Sequence, residues 1–158
     1  MNNTASQLIV NGGFETGNLS SWSAGGVYLP FVVTGHAHAG TYSAQLGASS
    51  GSEPNGNSSL YQTITIPSTV TSATLTFWYW PSTTDTITYD WQEAQVQNFG
   101  HLLAQIMKVC SNSRAWTRKT FDLTPYKGQT IRIYFNDHQD GYGDLTYMYL
   151  DDVSVTTH

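Results

Sequence analysis

Trp78, Trp80, Trp91, Glu93, Gln95, Arg132 and Tyr134 are the residues of this chain whose types and spacing suggest chemistry. Flat aromatic rings can stack on the C–H faces of a sugar ring, while Glu, Gln and Arg make directional hydrogen bonds to hydroxyls. Within each segment these residues recur at every second position: 78 and 80, then 91, 93 and 95, then 132 and 134. In an extended strand that spacing puts them on one face. The alternate residues Leu75, Phe77, Ala94, Val96, Ile131 and Ile133 then face a core. The pattern predicts that the aromatic and polar side chains, with Gln97, line one exposed groove. Tyr28 and Tyr61, near loops, are alternative contacts. The competing reading is that Trp78 and Trp80 pack under a loop or a second layer.

The residues that catalysis would need are poorly furnished. Glycoside hydrolysis takes two carboxyl groups flanking the bond; beside Glu93 the nearest acids, Asp85 and Asp90, belong to the preceding loop. No G-x-S-x-G, H-E-x-x-H or phosphate-loop motif occurs. His101 has no identifiable nucleophile to serve. His36 and His38 share a face, but two imidazoles without a third ligand are weak evidence for a transition metal, so they are read as loop-rim residues. The acidic segment Asp137 to Asp144 loosely follows a calcium loop but lacks its terminal Glu, so it is read as a polar glycine-containing turn. Cys110 is the one cysteine, which rules out an intrachain disulfide; it follows the apolar run Ile106 to Val109 and is read as a packing residue. No catalytic residue is assigned.

Composition narrows the class further. The 158 residues suit one domain, expected to span residues 1–158 with its ordered core over about 7–156. Six Lys and Arg against eleven Asp and Glu give a net charge of −5, which argues against nucleic acid or an anionic membrane surface as partner. No run approaches the ~20 apolar residues of a membrane-spanning helix. The N-terminus lacks the charged and apolar regions of a signal peptide. A monomer cut from a longer secreted or surface protein is expected.

Strands must position the candidate residues. Abundant Thr, Ser, Gly and aromatics favour strands and turns over helices. Strand-like runs occur at Gln7 to Val10, Val27 to Thr34, Tyr42 to Leu46, Leu60 to Ile66, Ala73 to Trp80, Trp91 to Asn98, Leu102 to Val109, Thr130 to Asn136 and Tyr147 to Val155. Asn98-Phe99-Gly100-His101 reads as a hairpin turn, Ser49 to Ser59 as a flexible loop, and Phe121 to Gln129 as a turn segment. The pattern is that of an all-β sandwich of two antiparallel sheets.

Four segments, in order, carry a resemblance. Asn11-Gly12-Gly13-Phe14-Glu15-Thr16-Gly17 with Leu19 and Trp22 resembles the opening of bacterial carbohydrate-binding modules with a galactose-binding-like jelly-roll fold. His38-Ala39-Gly40-Thr41-Tyr42-Ser43-Ala44 resembles their second signature. Trp116 and the stretch Phe121 to Phe135 resemble their penultimate strand region, and Leu150-Asp151-Asp152-Val153-Ser154-Val155 their last strand. The same signature occurs in accessory domains of secreted peptidases and in MAM-type adhesion domains. The resemblance implies a non-catalytic module that binds a polysaccharide or glycan, secreted as part of a larger protein. The alternatives are a protein-interaction domain of a secreted peptidase or adhesin and, behind it, a small jelly-roll enzyme.

The resemblance also implies a structural calcium ion tying the first strand to the last, with Glu15 and Asp151 as side-chain ligands and backbone oxygens near Gly17 and Thr41. The chemistry agrees: calcium takes hard oxygen ligands, and a cation relieves the repulsion of two paired carboxylates. The alternative is that both acids are solvated strand ends. Alternation makes Asp152 point away from Asp151 and ranks it lower.

Overall fold

The computed structural model describes residues 5–158. Alternating apolar and polar side chains set its strands, because one face of each strand is withdrawn from water and the other is not. In chain order these are β1 (Ser6–Gln7), β2 (Ser23–Gly26), β3 (Phe31–Thr34), β4 (Tyr42–Leu46), β5 (Asn55–Thr65), β6 (Ala73–Ser82), β7 (Trp91–Asn98), β8 (His101–Val109), β9 (Thr117–Asp122), β10 (Thr130–Asp140) and β11 (Tyr147–Thr157). A 3-10 turn covers Thr124–Tyr126. Sheet I has the order β3-β4-β11-β6-β9, with β1 also on β11; sheet II has the order β2-β5-β10-β7-β8. Every pairing is antiparallel. The two sheets pack face to face as a jelly-roll β-sandwich.

The predicted inward set is the core. Leu75, Phe77, Ala94, Val96, Ile131 and Ile133 are buried, with Phe14, Leu46, Leu60, Phe135 and Leu150 filling the same layer. Some boundaries differ from the expectation. Asn55 to Ser59 belongs to β5, because it pairs with Asp140 to Asn136 of β10 although its own residues carry no apolar signal. Only the Phe31–Thr34 part of the run from Val27 is a strand; Pro30, just before it, has no N–H to give a ladder. β2 and β9 were not anticipated. Both are edge strands, largely exposed, and so lack the alternation that marks a half-buried strand.

The quoted signatures turn out to interlock. Asn11 adopts a left-handed conformation (φ 54°) and turns the chain beneath Trp22, whose indole N–H donates to the Asn11 carbonyl at 2.9 Å. Phe14, also left-handed (φ 57°) and fully buried, stacks on Trp22 with ring centroids 5.5 Å apart. Gly12 lies flat against the last strand: its carbonyl accepts the Val153 N–H at 3.0 Å, and a Cβ at position 12 would overlap the Val153 carbonyl. Gly12→Ala must therefore push two backbones apart. It is expected to destabilise the fold by about 1–3 kcal/mol or more, read from the urea midpoint; an unchanged midpoint would refute the close approach.

Candidate functional site

The outer face of sheet II gathers Trp91, Glu93, Gln95 and Gln97 from β7 with Arg132 and Tyr134 from β10. Register does this: Arg132 lies opposite Gln97, Tyr134 opposite Gln95, Asn136 opposite Glu93, and His138 opposite Trp91. Glu93 is the hub. It is 8% exposed, and its Oε1 accepts the Asn136 amide at 2.9 Å while Oε2 accepts the amides of Gln95 at 3.1 Å and Gln105 at 3.4 Å. Gln97 in turn donates to Gln95 Oε1 at 2.8 Å. Asn57 Oδ1 accepts from Asn136 at 3.1 Å and faces His138 Nδ1 at 2.8 Å, which makes Nδ1 the protonated nitrogen. Burial, above all other causes, holds the His138 pKa below its ordinary value and the Tyr134 pKa above it. At neutral pH both are uncharged hydrogen-bonding groups.

Two polar atoms on this face are buried and have no partner: the Trp91 indole N–H and Asn136 Oδ1. One is a donor and the other an acceptor. The aromatic rings are less open. Trp91 stacks on His138 from β10 at 4.1 Å, and the Lys108 ammonium of β8 lies 4.0 Å from its ring centre. The Arg132 guanidinium covers Tyr61 of β5 at 4.2 Å. Asn57, Gln105, Lys108, Asn136 and His138 all join the site without having been singled out for it. Gln105 reaches Glu93 because β8 shifts register twice along β7, near Gln95 and Gln97, and bulges cannot be counted from residue spacing. Asn57 carried no signal, since its strand was read as a loop.

Trp78 and Trp80 are not part of this face. They lie on β6, in sheet I, so the single groove expected from their alternation divides between opposite sides of the sandwich. There the loop between β3 and β4 covers them. His38 stacks on Trp78 at 3.9 Å, with Trp116 edge-on at 5.6 Å from His38. His36 packs edge-on to Trp80 at 4.7 Å and stacks on Tyr149 at 4.1 Å. Arg114 lies 5.5 Å from the Trp80 ring centre. Alternation gives the face of a strand but not the sheet that the strand joins.

Glu15 and Asp151 converge on one loop. Glu15 Oε1 accepts the N–H groups of Thr41 at 2.9 Å and Tyr42 at 3.1 Å. Asp151 Oδ2 accepts those of His38 at 2.9 Å and Ala39 at 3.3 Å. Between them Gly40 takes a left-handed turn (φ 69°), where any Cβ would strike the Glu15 carboxylate. Asp151 is fully buried, and burial raises its pKa to about 6 despite its backbone hydrogen bonds. Asp152 does not point away. A register shift and a left-handed Asp152 (φ 48°) turn its side chain back, so that Oδ2 meets His38 Nδ1 at 2.6 Å while Oδ1 and Asp151 Oδ1 both border Gly13. Thr41 thus meets Glu15 through its N–H, and Gly17 gives its N–H to the Phe14 carbonyl beside the Tyr42 ring. Asp151 Oδ1 and Asp152 Oδ1 both face Gly13 and are oxygens of the kind a hard cation takes, while the Glu15 carboxylate faces Gly40 and the N–H groups of Thr41 and Tyr42.

No protein-family model matches the sequence, and no curated protein matches it. Solved structures do match in shape. TmCBM61, solved in complex with beta-1,4-galactotriose, is 19% identical with a TM-score of 0.73, over 97% of this chain and 99% of that one. The K3 cleaved adhesin domain of Lys-gingipain from Porphyromonas gingivalis W83 is 16% identical with a TM-score of 0.69, over 96% and 99%. A family 16 carbohydrate-binding module is 18% identical with a TM-score of 0.58, over 94% and 98%. This chain shares the jelly-roll β-sandwich fold of these carbohydrate-binding and adhesin domains.

Proposed function

We propose that this protein is a non-catalytic carbohydrate-binding module that takes a poly- or oligosaccharide on the outer face of sheet II. The observation that carries the reading is the amide and carboxylate ribbon centred on Glu93, with the Trp91 N–H and Asn136 Oδ1 buried beside it and unpartnered. A row of fixed donors and acceptors flanked by Trp91, Tyr134 and Arg132 suits the hydroxyls of a sugar better than an apolar or anionic ligand. The shared fold with TmCBM61, whose bound galactotriose is a sugar, supports the same class. Trp78 and Trp80 have no part in this groove. The module works as a monomer within a larger secreted protein.

A second reading is an interaction domain of a secreted peptidase or adhesin. Favouring it are the shape shared with the gingipain adhesin domains and the ring cluster of sheet I, where His36, Trp80, Tyr147 and Tyr149 pack together. Affinity gel electrophoresis against a panel of soluble polysaccharides separates the two. The parent chain is expected to be retarded by at least one polysaccharide. Glu93→Gln, which keeps the shape of the hub, and Trp91→Ala are expected to weaken that retardation about tenfold or more, the cost of roughly 1.4 kcal/mol. Trp78→Ala should leave it unchanged. Loss of retardation in Trp78→Ala alone would move the site to sheet I.

The proposal includes a structural calcium ion held by Glu15 and Asp151. Its support is the pairing of two carboxylates on the 38–42 loop, one of them fully buried. A ligand that binds only the folded state at about 100 times its Kd adds ~2.7 kcal/mol. The melting midpoint is therefore expected to fall by several degrees in excess EGTA, and Asp151→Asn to shrink that difference. A midpoint that EGTA leaves unmoved would refute a tightly held ion.

A further inference from the structure

Asp137 is the most anomalous side chain in the molecule. It is fully buried on the inward face of β10, opposite Gln92 of β7, and neither carboxylate oxygen has a hydrogen-bond partner. Buried polar groups are nearly always paired, and an ionised carboxylate left alone in the interior costs several kcal/mol. The charges around it make matters worse. Burial comes first, and the negative charges of Asp90 and Glu53 follow, in pushing the Asp137 pKa well above the carboxylate range. Asp90 is also fully buried, and burial raises its pKa to about 6.

These acids meet because of the sheet register. β5 begins just after Glu53, β7 begins just after Asp90, and β10 ends at Asp140, whose partner is Asn55. Ligand oxygens of Glu53, Asp90 and Asp140 come within 4.8 Å of one another. Glu53 Oε2 is buried with no partner. Thr146 links the group to Asp137: its hydroxyl donates to Asp90 Oδ2 at 2.6 Å, and its carbonyl lies with Asp137 Oδ1 against Gly47, where a Cβ would overlap both. Among the described residues the one ion pair is His38 with Asp152, so no basic side chain balances this cluster.

We infer that Glu53, Asp90 and Asp140 form a binding site for one divalent hard cation, calcium, separate from the Glu15–Asp151 loop, with the unpartnered Asp137 carboxylate beside it supplying further negative charge. Every donor is an oxygen, which suits calcium and its six to eight ligands rather than zinc or copper. Cys110 is nearby but does not alter this. Its thiol donates to the Asp85 carbonyl at 3.4 Å, and burial raises its pKa, which keeps the proton on sulfur. Asp140 also borders an open cavity of about 560 Å³, shared with Asp85, Tyr89, Tyr142 and Asp144, which gives an ion an acidic route in.

The test uses chelator-stripped Glu15→Gln, in which the other proposed calcium site is disabled. Calcium titrated calorimetrically into this variant is expected to bind with a stoichiometry of about one and to raise the melting midpoint. Adding Asp137→Asn should weaken binding by roughly 10–100-fold, the range typical of a change next to the ligands. In chelator the same change should raise the midpoint, because folding no longer has to desolvate or protonate this carboxylate. Asp140→Asn, at a half-exposed position, guards against a variant that fails to fold. In the otherwise unaltered chain it should lower terbium luminescence excited through tyrosine, and Glu15→Gln alone should keep most of that signal. Absence of calcium binding to Glu15→Gln, or equal calcium affinity with and without Asp137→Asn, would overturn the site. None of these readouts involves a glycan, so they stand or fall apart from the sugar-binding reading.

Discussion

Carboxylates buried in a two-layer sandwich with almost no basic residues to meet them are the constraint on which much of this structure turns. Asp90, Asp137 and Asp151 are fully buried, yet the chain has only six Lys and Arg. A carboxylate withdrawn from water must find donors, take up a proton or hold a cation. Asp151 finds backbone N–H groups, and in doing so fixes the loop between β3 and β4 against the last strand. Glu15 does the same from the other end of the chain. The Glu15 grip explains why Gly40 has no side chain, because the carboxylate occupies the space that a Cβ would need; at Gly12 the Val153 carbonyl does the same.

The same loop has a second consequence. Once Asp151 and Glu15 hold residues 38–42, His36 and His38 are laid over Trp80 and Trp78, and sheet I becomes a surface of mutually packed rings. Sheet II has no such cover. Its outer face keeps a continuous polar ribbon because Glu93 is surrounded by amide donors rather than by a cation, leaving it a hydrogen-bonding centre and not half of a salt bridge. The two faces of one sandwich thus differ in chemistry, rings under a loop on one side and a hydrogen-bonded row of amides around Glu93 on the other, although both arise from strands of similar pattern.

Much of this was legible in the chain. Period-two alternation fixes β6, β7 and β10 and their inward residues, since burial on one side of a pleat leaves a direct trace in sequence. The Asn98–His101 hairpin reads from its glycine, and the left-handed Phe99 and Gly100 bear it out (φ 47° and 86°). The edge strands β2 and β9 left no trace, because a strand that buries little has no reason to alternate.

What the sequence by itself determined is therefore local: which side of each strand is apolar, which turns need glycine, and that Trp91, Glu93 and Gln95 share one face of their strand and Arg132 and Tyr134 one face of theirs. Tertiary structure decided which strands became neighbours. It sent Trp78 and Trp80 to the opposite sheet, brought Gln105 and Asn136 to Glu93 and Asn57 to Asn136, turned Asp152 back through a bulge, and gathered Glu53, Asp90 and Asp140 at one end of sheet II. Strand order and register are set by long-range pairing, and residue spacing along a single strand carries no record of its partners.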